Sequence, residues 1–226
     1  SSGSGYLVRR ADGFVFVKQS SGDLIPFQSA LNEPFPLDSS CSVRKASKLE
    51  LVGLGKTLRF GEETNFTLRP DGVIEIHKGA ILIYSRRQDT QIKIESPAAS
   101  AVISGEGSIM IEVTANDGFK VVGLLGLMRI EETGLNASGS ILTLASGELA
   151  FLKPLGNGFG DKLNIRLSRL CETAQLVSGY VNPTAFRNQL QAAIKAQDIR
   201  ISRSFGLQVG DAPEVDRFET LPLDQP

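Results

Sequence analysis

The sequence predicts a mainly β fold: a compact β-solenoid-like or β-sandwich core of short strands, followed by two short amphipathic α-helices. Three observations predict it. First, apolar residues recur at every second position between Asp71 and Lys153: Ile74 and Ile76, Ile81 and Ile83, Ile92 and Ile94, Ile109 and Ile111, Leu142 and Leu144. Successive strand side chains point to opposite faces, so this alternation buries one face and wets the other. Second, Gly, Asp-Gly, Asn-Asp-Gly and Ser-Gly punctuate the pattern, and tight reversals need such residues at positive φ. Third, beyond residue 160 the apolar spacing lengthens to the roughly 3.6-residue period of a helix.

Each element can be justified in order. Residues 1–5, Ser-Ser-Gly-Ser-Gly, read as a linker or expression scar, so a signal peptide or membrane anchor upstream is compatible with the chain. An all-β domain is expected over 6–155. It opens with a hairpin in 6–31, with Phe14, Phe16 and Leu24 as its apolar members and Ser20-Ser21-Gly22-Asp23 as its turn. Pro34 and Pro36 exclude a central strand in the loop that follows. KLELVG, KTLRFG and NFTLR are three short strands, with Glu62-Glu63 on a solvated turn. Gly156-Asn157-Gly158-Phe159-Gly160 reads as a flexible hinge.

The hinge leads into a helical extension over 161–210. Leu163, Leu167, Leu170, Cys171, Ala174 and Val177 form the stripe of a first helix, capped by Asp161 and ended by Gly179. Asn182 caps a second helix with Pro183 at its first position. Its stripe is Phe186, Leu190, Ala193 and Ile194, and it stops at Gln197. Both helices need an apolar partner, either the β core or another chain. Ile199 to Val209 is a candidate final strand, and the acidic, Pro-containing stretch 211–226 reads as a disordered tail.

Bulk properties narrow the function classes. The chain has 226 residues, a hydrophobic fraction of 41%, a charged fraction of 22% and a net charge of −1. Its charges are interspersed, which disfavours nucleic acid as a main partner. No apolar run approaches the roughly 18 to 20 residues a membrane helix needs. Cys41 and Cys171 are either two separate buried thiols or one long-range disulfide, and sequence does not choose between them.

No constellation of catalytic, cofactor-binding or metal-binding residues emerges. His77 is the single histidine, too few imidazoles for a structural zinc site and the one available imidazole base. Gly105-Glu106-Gly107-Ser108 fails the nucleophile-elbow spacing. Gly53-Leu54-Gly55-Lys56-Thr57 ends like a phosphate-binding loop, but Glu50 stands where its first Gly belongs, and two short strands flank it. The adjacent pairs Glu62-Glu63 and Glu131-Glu132 point to opposite faces of a strand, so neither makes an acid/base dyad. They are expected on solvated turns or strand edges. Asn65-Phe66-Thr67 and Asn136-Ala137-Ser138 match the glycosylation pattern, which arises readily by chance. Trp is absent and aromatics make up only 7%, which weakens a sugar-stacking cleft.

From Gly13 to Lys153 the succession of motifs resembles the FecR-type domain of bacterial cell-envelope signalling proteins. An early "G-x-V-x-V" strand is matched by Gly13-Phe14-Val15-Phe16-Val17. The strand pair and following strand are approximated by KLELVGLGKTLRFGEETNFTL, and "l-x-x-G-x-v-x-V" resembles Ile76 to Ile83. A Pro-terminated strand resembles Ile92 to Ala101 with Ser96-Pro97, and "G-T-x-F-x-V" resembles Gly107 to Val113 with Ser108 in place of Thr. Phe119 to Ile130 and Ile141 to Glu148 resemble the last two motifs. The 53–63 turns depart from the pattern, and the helices over 161–198 lie outside it.

The resemblance implies a compact all-β domain in the periplasm or on the cell surface, with no catalytic residues to transfer. It implies a non-enzymatic module that contacts an envelope or membrane protein partner in signal transduction or regulation. The alternatives are a module that binds glycan or peptidoglycan, and a hydrolase with a cryptic carboxylate pair. Exposed strand edges are a candidate docking element for a protein partner.

Overall fold

The computed structural model describes residues 5–19, 21–27, 31–201 and 220–221. The chain first forms β1 (Leu7–Asp12), β2 (Val15–Lys18), β3 (Leu24–Pro26), β4 (Cys41–Val43), β5 (Lys48–Gly53) and β6 (Lys56–Phe60). There follow β7 (Thr64–Leu68), β8 (Val73–Lys78), β9 (Ala80–Ser85), β10 (Gln91–Glu95), β11 (Ser100–Ser104) and β12 (Gly107–Val113). Next come β13 (Phe119–Gly126), β14 (Met128–Glu132), β15 (Ile141–Leu144), β16 (Glu148–Leu152) and β17 (Leu163–Ile165). Three helices, α1 (Leu167–Thr173), α2 (Gln175–Ser178) and α3 (Thr184–Ile201), precede the two-residue β18 (Thr220–Leu221).

The strands build two nine-stranded sheets. Sheet A runs β1-β5-β6-β9-β12-β13-β16-β17-β18, and sheet B runs β3-β2-β4-β7-β8-β10-β11-β14-β15. The fold is thus a sandwich, and its sheets grow in step. The chain adds one or two strands to A, crosses to B, and returns, so each sheet is read in nearly the order of the sequence. That stepwise growth gives it the character of a solenoid. The pairs are antiparallel except β8 with β10, which lie parallel because β9 crosses to sheet A between them.

Alternation places the core as the sequence implies. Ile74, Ile76, Ile81, Ile83, Ile92, Ile94, Ile109, Ile111 and Leu144 are buried between the sheets, and Leu142 packs half-buried against them. Phe60 of sheet A stacks on Phe66 of sheet B, with ring centroids 3.6 Å apart, and Phe35 closes the cluster from the Pro-interrupted loop. Burying rings of this size is among the larger single contributions to a core. β2 and β3 form the expected early hairpin, while β1 pairs with β5 instead.

A second apolar cluster lies on the outer face of sheet A. Leu82, Val122, Leu124, Leu125 and Leu149 meet Leu167, Leu170, Leu176, Val177, Phe186 and Leu190 of the helices. β13 is therefore buried on both faces, which explains its near-continuous apolar run FKVVGLLG. The outer face of sheet B has no such cover among the described residues.

The helical layer departs from expectation in four places. Leu163 is not in a helix: Leu163–Ile165 pairs with β16, whose open edge offers backbone partners. The expected first helix is two, broken at Ala174, whose backbone is extended. Ala174 N–H closes α1 on Leu170 O, and its carbonyl accepts from Val177 and Ser178 to start α2. The change of direction lets Leu176 and Val177 reach the sheet. Asn182 does not cap α3: the helix begins at Thr184 with Pro183 O accepting its first bond, and the Asn182 side chain bonds Arg59 and Val177 O. Finally, Ile199–Ile201 belongs to α3 rather than to a strand; residues 202–209 lie outside the described residues, as does most of the expected tail.

Gly156 to Gly160 is fastened on both sides. Gly158 N–H donates to Glu132 Oε1, Lys153 N–H to Gly158 O and Gly160 N–H to Phe151 O. Gly156 runs so close to Asn136 that a Cβ would stand 1.7 Å from its carbonyl oxygen. Close approach, not pliancy, accounts for that glycine.

Candidate interaction surface

The helices are bolted to sheet A by a buried polar cluster. Arg59 on β6 is 2% exposed and Glu50 on β5 is 5% exposed. Arg59 Nε donates to Glu50 Oε2 at 2.6 Å. Its Nη1 donates to Leu176 O at 3.0 Å and to Asn182 Oδ1 at 2.7 Å. The guanidinium stands 4.6 Å from the centre of the Tyr180 ring. Tyr180 O–H is shared between Leu49 O and Phe60 O at 3.3 Å each, and Asn182 Nδ2 donates to Val177 O at 3.0 Å. Lys48 Nζ reaches Gly179 O. A planar fork with five donors suits such a junction, since it satisfies a carboxylate, a carbonyl and an amide at once. Burial holds the Tyr180 hydroxyl well above its ordinary pKa.

A second bolt sits at the other end. Gln197 is 4% exposed. Its Oε1 accepts from Leu167 N–H at 2.7 Å, and its Nε2 donates to Ile165 O at 2.7 Å. The stripe of α3 therefore continues past Ile194 as a buried amide that bridges to the segment joining β17 and α1.

Fixed in this way, the layer shows solvent an open groove of about 720 Å³ between α1–α2 and α3. Its floor is apolar: Val177 and Leu190 are buried there, and Cys171 and Ile194 are half-buried. Glu172, Arg187 and Gln191 are exposed along its rim. Cys171 and Cys41 are both free thiols, and burial pushes each up to about 12 from an ordinary 9.0. The long-range disulfide is therefore not formed.

The sheet edges are less open than alternation alone implies. Val8 N–H donates to Glu33 O and Val8 O accepts from Asn32, so the loop covers the start of β1. β3 ends in Pro26, and Lys162 Nζ caps Thr143 O on β15. The residues weighed for chemistry stay apart. His77 is exposed on β8, with Nε2 3.8 Å from Glu75 Oε2. Glu62 and Glu63 lie on the β6–β7 turn, and Gly53 to Thr57 forms the β5–β6 hairpin. Glu131 pairs with Arg129 at 2.8 Å. Glu132, expected on a solvated edge, is instead 4% exposed. It accepts from Ser138 N–H at 2.8 Å, from Ser138 Oγ, and from Gly158 N–H at 3.1 Å. Its carboxylate is buried because three donors from two loops replace its water.

Sequence reasoning missed Arg59, Glu50 and Gln197. The one signal available was the double-faced apolar run of β13, which announces that something covers sheet A.

No family profile matches the chain, and no curated protein matches it either. Among the solved structures that align with it are two crystal structures. Both are of candidate anti-sigma factors from Parabacteroides distasonis ATCC 8503. One is 14% identical with a TM-score of 0.42, covering 55% of this chain, which spans 59% of that chain's length. The other is 11% identical with a TM-score of 0.42, covering 82% of this chain and 99% of its own.

Proposed function

We propose that this chain is a non-enzymatic protein-interaction module of the bacterial cell envelope, acting in signal transduction or regulation from the periplasm or cell surface. The observation that carries the reading is the groove of about 720 Å³ on a helical layer bolted to a rigid sandwich. An apolar floor between two helices, with charged residues on its rim, suits an amphipathic helix of a protein partner. Such a partner would lay its apolar stripe over Cys171, Val177, Leu190 and Ile194. The order of strand motifs from Gly13 to Lys153, which resembles FecR-type domains, supports the envelope setting and the signalling role.

Site-specific photocrosslinking in cells tests the reading. A photoreactive residue at Gln191, on the rim, should capture one discrete envelope protein. One at Thr67, on the bare face of sheet B, should not. Ile194→Glu should abolish the Gln191 adduct while leaving the melting temperature within a few degrees. Equal adducts from both positions, no adduct from Gln191, or an adduct that survives Ile194→Glu would overturn the groove as the interface. Fusion of the full-length protein to a reporter active only outside the cytoplasm tests the compartment, and an inactive fusion would reject it.

A further inference from the structure

Away from the helices, one end of the sandwich holds a cavity of about 400 Å³ between the β5–β6 turn and the β7–β8 turn. Leu37, Leu68, Pro70 and Val73 give it apolar walls. Its charged lining residues are Lys56, Arg69, Lys93 and Asp71. Arg69 is already engaged, with Asp71 at 2.5 Å, Glu95 at 2.9 Å and Glu75 at 3.2 Å. Lys56 and Lys93 have no hydrogen-bond or ion-pair partner among the described residues, because the three nearby carboxylates gather on Arg69, so the two amines are the cations left to meet a ligand. Lys56 is half-buried, and desolvation lowers its pKa, as expected of an ammonium group that lacks a counter-charge.

The mouth carries a second, independent signal. Leu54 occupies the β5–β6 turn at φ 52, beside Gly55 at φ 74. Two consecutive positive φ values define a turn that favours Asn, Asp or Gly at its first position. A leucine there is strained, and this one is also 60% exposed. An exposed leucine in a strained conformation contributes nothing to the core. At the rim of an apolar cavity it has a use, as a surface against which a ligand's body can rest.

We propose that this cavity binds a small organic anion, a carboxylate on an apolar body, with Lys56 holding the carboxylate and Leu54 flanking the apolar part. The site is independent of the helical groove, and its function stands or falls separately. The volume of about 400 Å³ suits a single-ring or short-chain acid. The pairing is of the charge-assisted kind, strengthened by the partly desolvated position of the amine.

Calorimetric titration with phenylacetate and with phenethylamine tests it, because the two share a ring and differ in the sign of the head group. Phenylacetate should bind the wild-type protein at millimolar concentration or tighter, and phenethylamine at least about tenfold more weakly. Lys56→Met, which keeps the stem and removes the charge, should weaken phenylacetate by at least about tenfold, and Lys56→Arg should retain it. Leu54→Asn should weaken phenylacetate while raising the melting temperature by about 2–4 °C, since the turn is relieved. Equal affinity for acid and amine would overturn the proposal. So would the absence of phenylacetate binding at about 10 mM. Loss of affinity in Lys56→Arg and Lys56→Met alike, with both melting temperatures within a few degrees of wild type, would reject the charge as its basis; should either variant fold poorly, the acid-against-amine comparison on the wild-type protein decides.

Discussion

At the scale of single residues, the informative side chains are polar ones in apolar places. Arg59 and Glu50 are both nearly inaccessible, and each is the other's counter-charge. Arg59→Met alone leaves a carboxylate stranded, with only the more exposed Arg9 at 3.5 Å to compensate. It should cost about 3–5 kcal/mol in chemical denaturation. The double variant Arg59→Met/Glu50→Leu should recover most of that loss, because no charge remains buried. Equal losses in single and double variants would show that the hydrogen bonds to Leu176 and Asn182, not the charge pair, secure the helices. Gln197→Ala leaves Leu167 N–H and Ile165 O without their partner and should cost about 1–3 kcal/mol. None of these roles was legible in the sequence. A charged residue on an alternating strand reads as a solvated one, and only the later chain reveals that helices cover its face.

At the scale of elements, local pattern and local turn chemistry agree well in the strands. The Ile pairs at 74 and 76, 81 and 83, 92 and 94, and 109 and 111 face the interior because a two-residue period leaves no alternative once one face is buried. Gly79 shows how narrowly one of the reversals is built. It joins β8 to β9 at φ 97, and a Cβ there would lie 2.5 Å from Thr64 Cα. Gly79→Ala should therefore destabilise by about 3 kcal/mol or more, through both backbone conformation and collision. A loss below 1 kcal/mol, on the order of an ordinary helix-interior change, would mean that β7 yields more easily than its register implies. The helical region was less legible. Helical spacing over 163–177 is genuine, yet β16 offers 163–165 an edge to pair with, and a backbone partner outranks periodicity. Ala174 carries no breaker signal at all, and the kink there exists so that Leu176 and Val177 can reach sheet A.

At the scale of the whole molecule, four acidic protons among the described residues are held by burial. Cys41, Cys171 and Tyr6 are each pushed up to about 12 by burial, and Tyr180 moves the same way. Each folded-state value exceeds the unfolded one, so the stability it supports is whole below the ordinary thiol and phenol range. It is lost as pH rises towards about 12, because the unfolded chain releases protons that the folded one retains. The melting temperature should be nearly flat from pH 7 to about 8.5 and fall steadily between about 9.5 and 12. An unchanged melting temperature at pH 8 and pH 11 would contradict this. The free thiols should also resist alkylation at pH 8 until denaturant is added. The stepwise layering of the two sheets has a consequence for synthesis. Most new strands dock beside one made not long before, so the amino-terminal courses can close while the remainder is still being made. The helices, arriving last, seal a surface that the unfinished molecule leaves greasy, and a chain halted before residue 161 should be sticky rather than unfolded.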